Sequence, residues 1–254
     1  MPNLKHGDFT TLAVDYAKYR PGYSSIVLAT VFALLPKNPI VADIGAGTGV
    51  WSRQLAEAGA EVHAVEPNDA MRSEGMRTSV PNITWSMGSA ESSALASMRF
   101  DLVTMASSLH WTDLDSALGE FSRILKPGGY FLALWNTRMY ASNPLLADIE
   151  NYLSKLKPGL RRVSSGRGDF CEQLTSRLRS SALFADLLYL EGFHSERQSP
   201  AHYLGVWGTA NDVRVQLGEE LFNDFSSYIK QRVSVVDHID AEYKTRAWLI
   251  RKIS

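Results

Sequence analysis

Three glycines at alternate positions, Gly45, Gly47 and Gly49, lie in "VADIGAGTGV" between an apolar run and a helical pattern. An acid, Glu66, closes the next apolar run, "EVHAV". Main chain without side chains can approach a ligand to van der Waals distance. A carboxylate at the end of a second strand can accept hydrogen bonds from both hydroxyls of a ribose, and it disfavours a 2′-phosphorylated one. The spacing is not a dinucleotide fingerprint, because the sixth position from Gly45 is Val50 where that fingerprint wants glycine or alanine. It is not a phosphate loop either, since no Gly-Lys-Ser or Gly-Lys-Thr follows. What remains is a cradle of exposed amides and carbonyls, or a tight strand-to-helix turn with no ligand.

A second group of residues could act on what the cradle holds. His110, in "ASSLHWTDLD", has the one side chain there whose ordinary pKa of about 6.5 suits proton transfer near neutrality. Trp111 and Trp135 could line a pocket through their ring faces, as could Tyr203 and Trp207 later in the chain. From Arg138 to Ser180 eight basic side chains stand against four acidic ones, which points to an anionic or carboxylate-bearing ligand with Arg161 and Arg162 as its partners.

Positioning such residues requires a sheet. The runs "IVADI", "EVHAV", "ITWSM", "FDLVTM" and "YFLALW" alternate with helical segments, and strand–helix alternation means parallel strands with right-handed crossovers. "LFADLLYLEGF" and "EYKTRAWLIRKI" supply two later strands, for seven in all. The expected architecture is α/β, a Rossmann-like, doubly wound, mostly parallel seven-stranded sheet, with ligands at the carboxyl ends of its strands. The polar, helical stretch "NPLLADIENYLSKLKPGLRRVSSGRGDF" is too long for an ordinary connection and reads as a helical cap inserted after the fifth strand. The expected division is a cofactor-binding core with a helical lid over 1–138, a cap over the substrate site at 139–180, and completion of the sheet at 181–254, all within one domain.

Composition narrows the partners. With 26 Lys and Arg against 27 Asp and Glu, the chain has no global field to attract nucleic acid or an anionic membrane. Cys171 is the single cysteine, so no intrachain disulfide forms and a reducing compartment is the simplest reading. The opening "MPNLKHGDFTT" lacks the apolar core of a leader, and "IVLATVFALL" is too short to span a bilayer. The expectation is a cytoplasmic protein, a monomer or weak homodimer, without a metal site.

The segments "YAKYRPGY", "VADIGAGTG", "AVEPNDAM", "GSAES" and "SSLHWTDLDSALGEFSRILKPGGYFLALWN" together resemble the class I S-adenosylmethionine-dependent methyltransferases, within the group of trans-aconitate and ubiquinone/menaquinone methyltransferase-like proteins. That resemblance implies S-adenosylmethionine as cofactor and methyl transfer to a small molecule. It implies that Gly45, Ala46 and Gly47 abut the cofactor's methionine and ribose, that Glu66 takes the ribose hydroxyls, and that Met71 lies against adenine. Where most relatives carry Asp-Ala after the third strand, this chain has Ser89 and Ala90, so the adenine contact at Ser89 departs from the pattern. Ala106 is expected on the methionine side, and Tyr16 and Arg20 at the methionine carboxylate, for which a guanidinium fork is suited. Methylation of tRNA or protein, and a non-catalytic S-adenosylmethionine-binding module, are the alternatives.

Overall fold

The computed structural model describes residues 7–163 and 165–253. The first six positions of the segment read above as lacking a leader's core lie outside the described residues. Two short helices, α1 (Ala13–Tyr19) and α2 (Ser25–Phe32), precede the sheet. Strands β1 (Ile40–Ile44), β2 (Glu61–Val65), β3 (Ile83–Ser86), β4 (Phe100–Ala106) and β5 (Leu125–Met139) are parallel, with crossover helices α3 (Val50–Glu57), α4 (Asp69–Arg77) and α5 (Leu114–Ile124).

The sheet order is β3-β2-β1-β4-β5-β7-β6, where β6 is Phe184–Gln198 and β7 is Ile239–Lys252. β7 runs antiparallel between β5 and β6. This is the seven-stranded, mostly parallel α/β arrangement that the alternation of strands and helices predicts. β1 is buried from Val41 to Ile44 because helices cover both faces of a parallel sheet. The strand order reverses between β1 and β4, which opens a crevice at their carboxyl ends.

Local chemistry fixes where the helices begin. The Asn68 side chain accepts from the Met71 amide to cap α4, and Asp113 accepts from Ser116 to cap α5. Asn143 followed by Pro144, and Ser199 followed by Pro200, start α6 (Pro144–Leu156) and α8 (Pro200–Gly208) in the same way. Among the described residues no helix is long and apolar enough to cross a membrane.

Apolar packing separates the sheet from a helical lobe. Leu146, Ile149 and Leu153 of α6 meet Tyr203 and Trp207 of α8 and Val213, Phe225 and Ile229 of α9 (Asn211–Val233) in a core of their own. The helix α7 (Asp169–Arg179) instead buries Cys171, Leu174 and Leu178 in the sheet core with Phe131 and Phe184. The segment 139–180 is therefore shared between two bodies. Its first helix joins the lobe, while the second, whose apolar positions form one stripe, covers the sheet. The rest of the lobe comes from the connection between β6 and β7. β5 also runs one residue past the 138 boundary, because β7 continues to pair with it through Arg138↔Tyr243 and Met139↔Glu242.

Candidate functional site

The turn after β1 is built from main chain. Gly45 and Gly47 have φ of 65° and 59°, a left-handed conformation that disfavours a side chain. The Gly45 amide donates to Val65 O at 2.8 Å, tying the turn to the end of β2. Glu66 then organises both sides of the crevice. Its Oε2 accepts from the Gly47 amide at 2.7 Å and its Oε1 from the Asn68 amide at 2.9 Å. Only 7% of Glu66 is exposed, and this burial raises its carboxyl pKa against the two amide hydrogen bonds.

Asp43 lies beneath the turn, fully buried, where it accepts from Ser52 Oγ at 2.5 Å and Thr104 Oγ1 at 2.9 Å. Desolvation pushes its pKa up to about 6 from 3.8, with Ser52 and Thr104 opposing and Glu66 adding to the rise. A raised folded-state pKa means that the folded chain binds the proton more tightly than the unfolded one. This group therefore weakens the fold as pH rises through about 6. Asp43→Asn is expected to remove that dependence, a difference on the order of 2 kcal/mol between pH 7.5 and pH 4.5. Denaturant melts of both proteins at the two pH values check this; parallel stability profiles would contradict it.

The crevice forms a half-closed cavity of about 270 Å³. The structure brings Tyr16, Gly45, Ala46, Gly47, Glu66, Met71, Ser89, Ala90, Ala106 and Trp111 to its wall. Residues the sequence reading did not single out also line it. Tyr23 and Ser107 share a hydrogen bond at 3.0 Å, and Ser107 has a φ of 55°, rare for a residue with a side chain. Trp51 packs edge-on to Tyr23, with its indole nitrogen buried and without a partner among the described residues. Tyr23 closes the "YAKYRPGY" segment and Trp51 is the second residue of α3, two positions after Gly49, so both carried a positional signal.

His110 lines neither this cavity nor the second one described below. It sits in a single turn, Leu109–Trp111, with rings of Trp111, Trp135 and Phe170 around it. The indole N–H of Trp135 donates to its Nδ1 at 3.3 Å. An indole nitrogen only donates, so the neutral imidazole carries its hydrogen on Nε2. Burial pushes the His110 pKa down to about 4, with Asp212 partly opposing. This environment favours a neutral hydrogen-bond donor at pH 7 over the proton acceptor expected from an unperturbed imidazole. Trp135 is fully buried and lines neither cavity.

A second cavity, also about 270 Å³, opens between the end of β5 and the helical lobe. Arg20 lines it rather than the first. Its Nη2 donates to Thr209 O at 2.8 Å, and its guanidinium lies 4.6 Å from the Tyr16 ring. The pair Tyr16 and Arg20 thus faces one cavity each. Arg162 also lines the second cavity, whereas Arg161 is exposed, with its amide donating to Gln216 Oε1. Tyr203 and Trp207 are fully buried in the lobe's core and line neither space.

Comparison with known proteins agrees with this geometry. Residues 42–133 match the methyltransferase domain family. A methyltransferase of Schizosaccharomyces pombe, itself uncharacterized, is 31% identical over 253 residues, covering 96% of this chain and 97% of that protein. An uncharacterized methyltransferase of Mycobacterium tuberculosis is 34% identical over 123 residues, 48% of this chain, and here the chain spans 49% of the relative's length. A solved Anaeromyxobacter dehalogenans protein assigned as a type II methyltransferase shares the fold at a TM-score of 0.67 and 22% identity, covering 92% of this chain and 97% of its own.

Proposed function

The chain belongs to the class I S-adenosylmethionine-dependent methyltransferases, and from that premise we propose that it methylates a small, anionic or carboxylate-bearing metabolite. The observation that carries this reading is a pair of concave, half-closed cavities. Bare main chain at Gly45 to Gly47, a buried carboxylate at Glu66 and an apolar wall of Met71 and Ala90 form one cavity, and a polar cavity lies across Tyr16 and Arg20. Two half-closed cavities of this size suit small molecules better than a polymer surface.

The residues of the first cavity fit S-adenosylmethionine. Gly45, Ala46 and Gly47 would face its methionine and ribose, Glu66 its ribose hydroxyls, and Met71, Ser89 and Ala90 its adenine. Ala106 would stand on the methionine side. When bound, this cofactor supplies an electrophilic methyl group on a positively charged sulfur. Tyr16 and Trp111 of the cavity wall would then limit the access of water, which strengthens every electrostatic contact inside. Ser107, held in its unusual conformation and bonded to Tyr23, fixes the end of β4 against the reaction space.

His110 acts here as a positioning residue through its contacts with Trp111 and Trp135. The expected result is that pH profiles of kcat for wild type and His110→Gln run parallel between pH 5.5 and 8. A limb near 6.5 present in the wild type alone would restore proton transfer to His110. The function itself is tested by incubating the protein with S-adenosylmethionine and a metabolite set, with products read by mass. Methyl transfer confined to RNA or protein fractions would reject the small-molecule reading.

A further inference from the structure

The second cavity is dominated by guanidinium groups that its own carboxylates do not satisfy. Arg138, carried in by the end of β5, is only 12% exposed at its side chain. Its guanidinium lies 4.1 Å from the Trp207 ring and 5.7 Å from that of Tyr203, so the fully buried aromatics of the lobe form its backing. The Nε and Nη1 of Arg138 have no hydrogen-bond partner among the described residues, and the Glu150 carboxylate stands 3.8 Å from Nη1, beyond hydrogen-bond reach. Arg162 reaches Glu150 at 3.2 Å through Nη1, while its Nε stands 3.9 Å from Asp212, an ion pair too long for a hydrogen bond, so that Nε has no hydrogen-bond partner among the described residues. Arg20 likewise leaves its Nε unpaired.

The guanidiniums of Arg20, Arg138, Arg162 and Arg167 and the ammonium of Lys157, against the carboxylates of Glu150 and Asp212, leave a net positive charge in a half-closed space, and arginine cannot relieve it by losing a proton. An unpaired buried donor costs about 1–3 kcal/mol, more when charged. A network serving the fold alone gains nothing from keeping several. A planar carboxylate is the group that a guanidinium fork matches with two parallel hydrogen bonds.

We propose that this cavity is the acceptor subsite, and that Arg138, with Arg162 and Arg20, holds a carboxylate of the acceptor there. The proposal rests on the methyltransferase reading above and adds residues to it. It assigns Arg20 to the acceptor instead of to the cofactor's methionine tail, and it makes Arg138 the determinant that rejects neutral and cationic acceptors. Glu150 sets the slot by spacing Arg138 from Arg162, while the aromatic backing keeps the Arg138 side chain from leaving it.

The experiment titrates the full chain, loaded with S-adenosylhomocysteine, with malonate, succinate and glutarate and with their diamides, by calorimetry. At least one dicarboxylate is expected to bind with a Kd of about 10 mM or tighter, and its diamide at least about tenfold more weakly. Arg138→Met and the more exposed Arg162→Met should each weaken the carboxylate by about tenfold or more while changing S-adenosylhomocysteine affinity less than about threefold. Thermal melts identify a variant that has failed to fold, and Arg162→Met then decides the matter. Equal binding of acids and diamides, no dicarboxylate binding, or carboxylate binding unchanged in a folded arginine variant would overturn the proposal. Failure of S-adenosylhomocysteine to bind the wild type would instead reject the cofactor reading, a separate measurement from the arginine arm.

Discussion

Glu66→Ala should lower affinity for S-adenosylhomocysteine by at least about a hundredfold. Two losses combine in that figure. The Gly47 amide, which donates to Glu66 Oε2 at 2.7 Å, loses its partner in a closed site, and an orphaned donor costs about 1–3 kcal/mol. The ribose hydroxyls lose a charged acceptor, whose hydrogen bonds contribute about 1.5–3 kcal/mol. A hundredfold corresponds to about 2.7 kcal/mol, so the two together reach it without further contacts. Glu66→Gln retains one good acceptor oxygen and should fall between, at about tenfold. Since burial raises the Glu66 pKa, binding to the wild type should begin to weaken, as pH falls, at a higher pH than for an exposed glutamate. Calorimetry on the three proteins measures all of this, and an alanine variant that binds like the wild type would remove Glu66 from the cofactor site.

The second large effect is expected at Gly45. An added Cβ would lie 2.8 Å from Ser108 Oγ and 2.9 Å from Ser108 Cβ, closer than packed atoms approach. The φ of 65° itself costs an alanine about 1–2 kcal/mol. The turn cannot relax by flipping, because its amide is held by Val65 O at 2.8 Å. Movement must therefore come from the main chain that faces the cavity. Gly45→Ala should lose about a hundredfold in S-adenosylhomocysteine affinity and several °C in Tm, about 2–4 °C per kcal/mol for a chain of this size. Gly208→Ala, where nothing lies within 4 Å of the new atom, serves as the control and should change neither. A Gly45→Ala protein with wild-type affinity would show that the turn does not carry the ligand.

How much of this was legible in the sequence follows from how far apart the contributing residues lie. The glycine turn and Glu66 belong to one strand–helix–strand unit, so their spacing alone encodes the first cavity's floor. The alternation of short apolar runs with helical patterns carried the sheet for the same reason. The second cavity has no such local record, since Arg20, Arg138, Glu150, Arg162 and Asp212 meet only after the sheet and the lobe have packed. Charge bias drew attention to the stretch from Arg138 to Ser180, and its named pair divides between cavity and surface. Of the adjacent pair, Arg162 turns inward and Arg161 outward.

Aromatic residues at helical spacing misdirect in a similar way. Tyr203 and Trp207 lie four apart on α8, and their rings serve the lobe's interior while only supporting Arg138 from behind. His110 shows the limit of reasoning from intrinsic acidity. The indole of Trp135, twenty-five positions away, and the surrounding rings decide its protonation, and neither is readable from the residue itself.

The strand order has a consequence for how the chain comes together. β7 follows every other strand in the sequence, yet it lies between β5 and β6. Until it emerges during synthesis, β6 has no neighbour to pair with, and β5 presents a bare row of amides and carbonyls along its outer side. The nascent protein thus carries two unpaired ribbons until β7 has been made, and these are the edges along which it is most exposed to pairing with another chain.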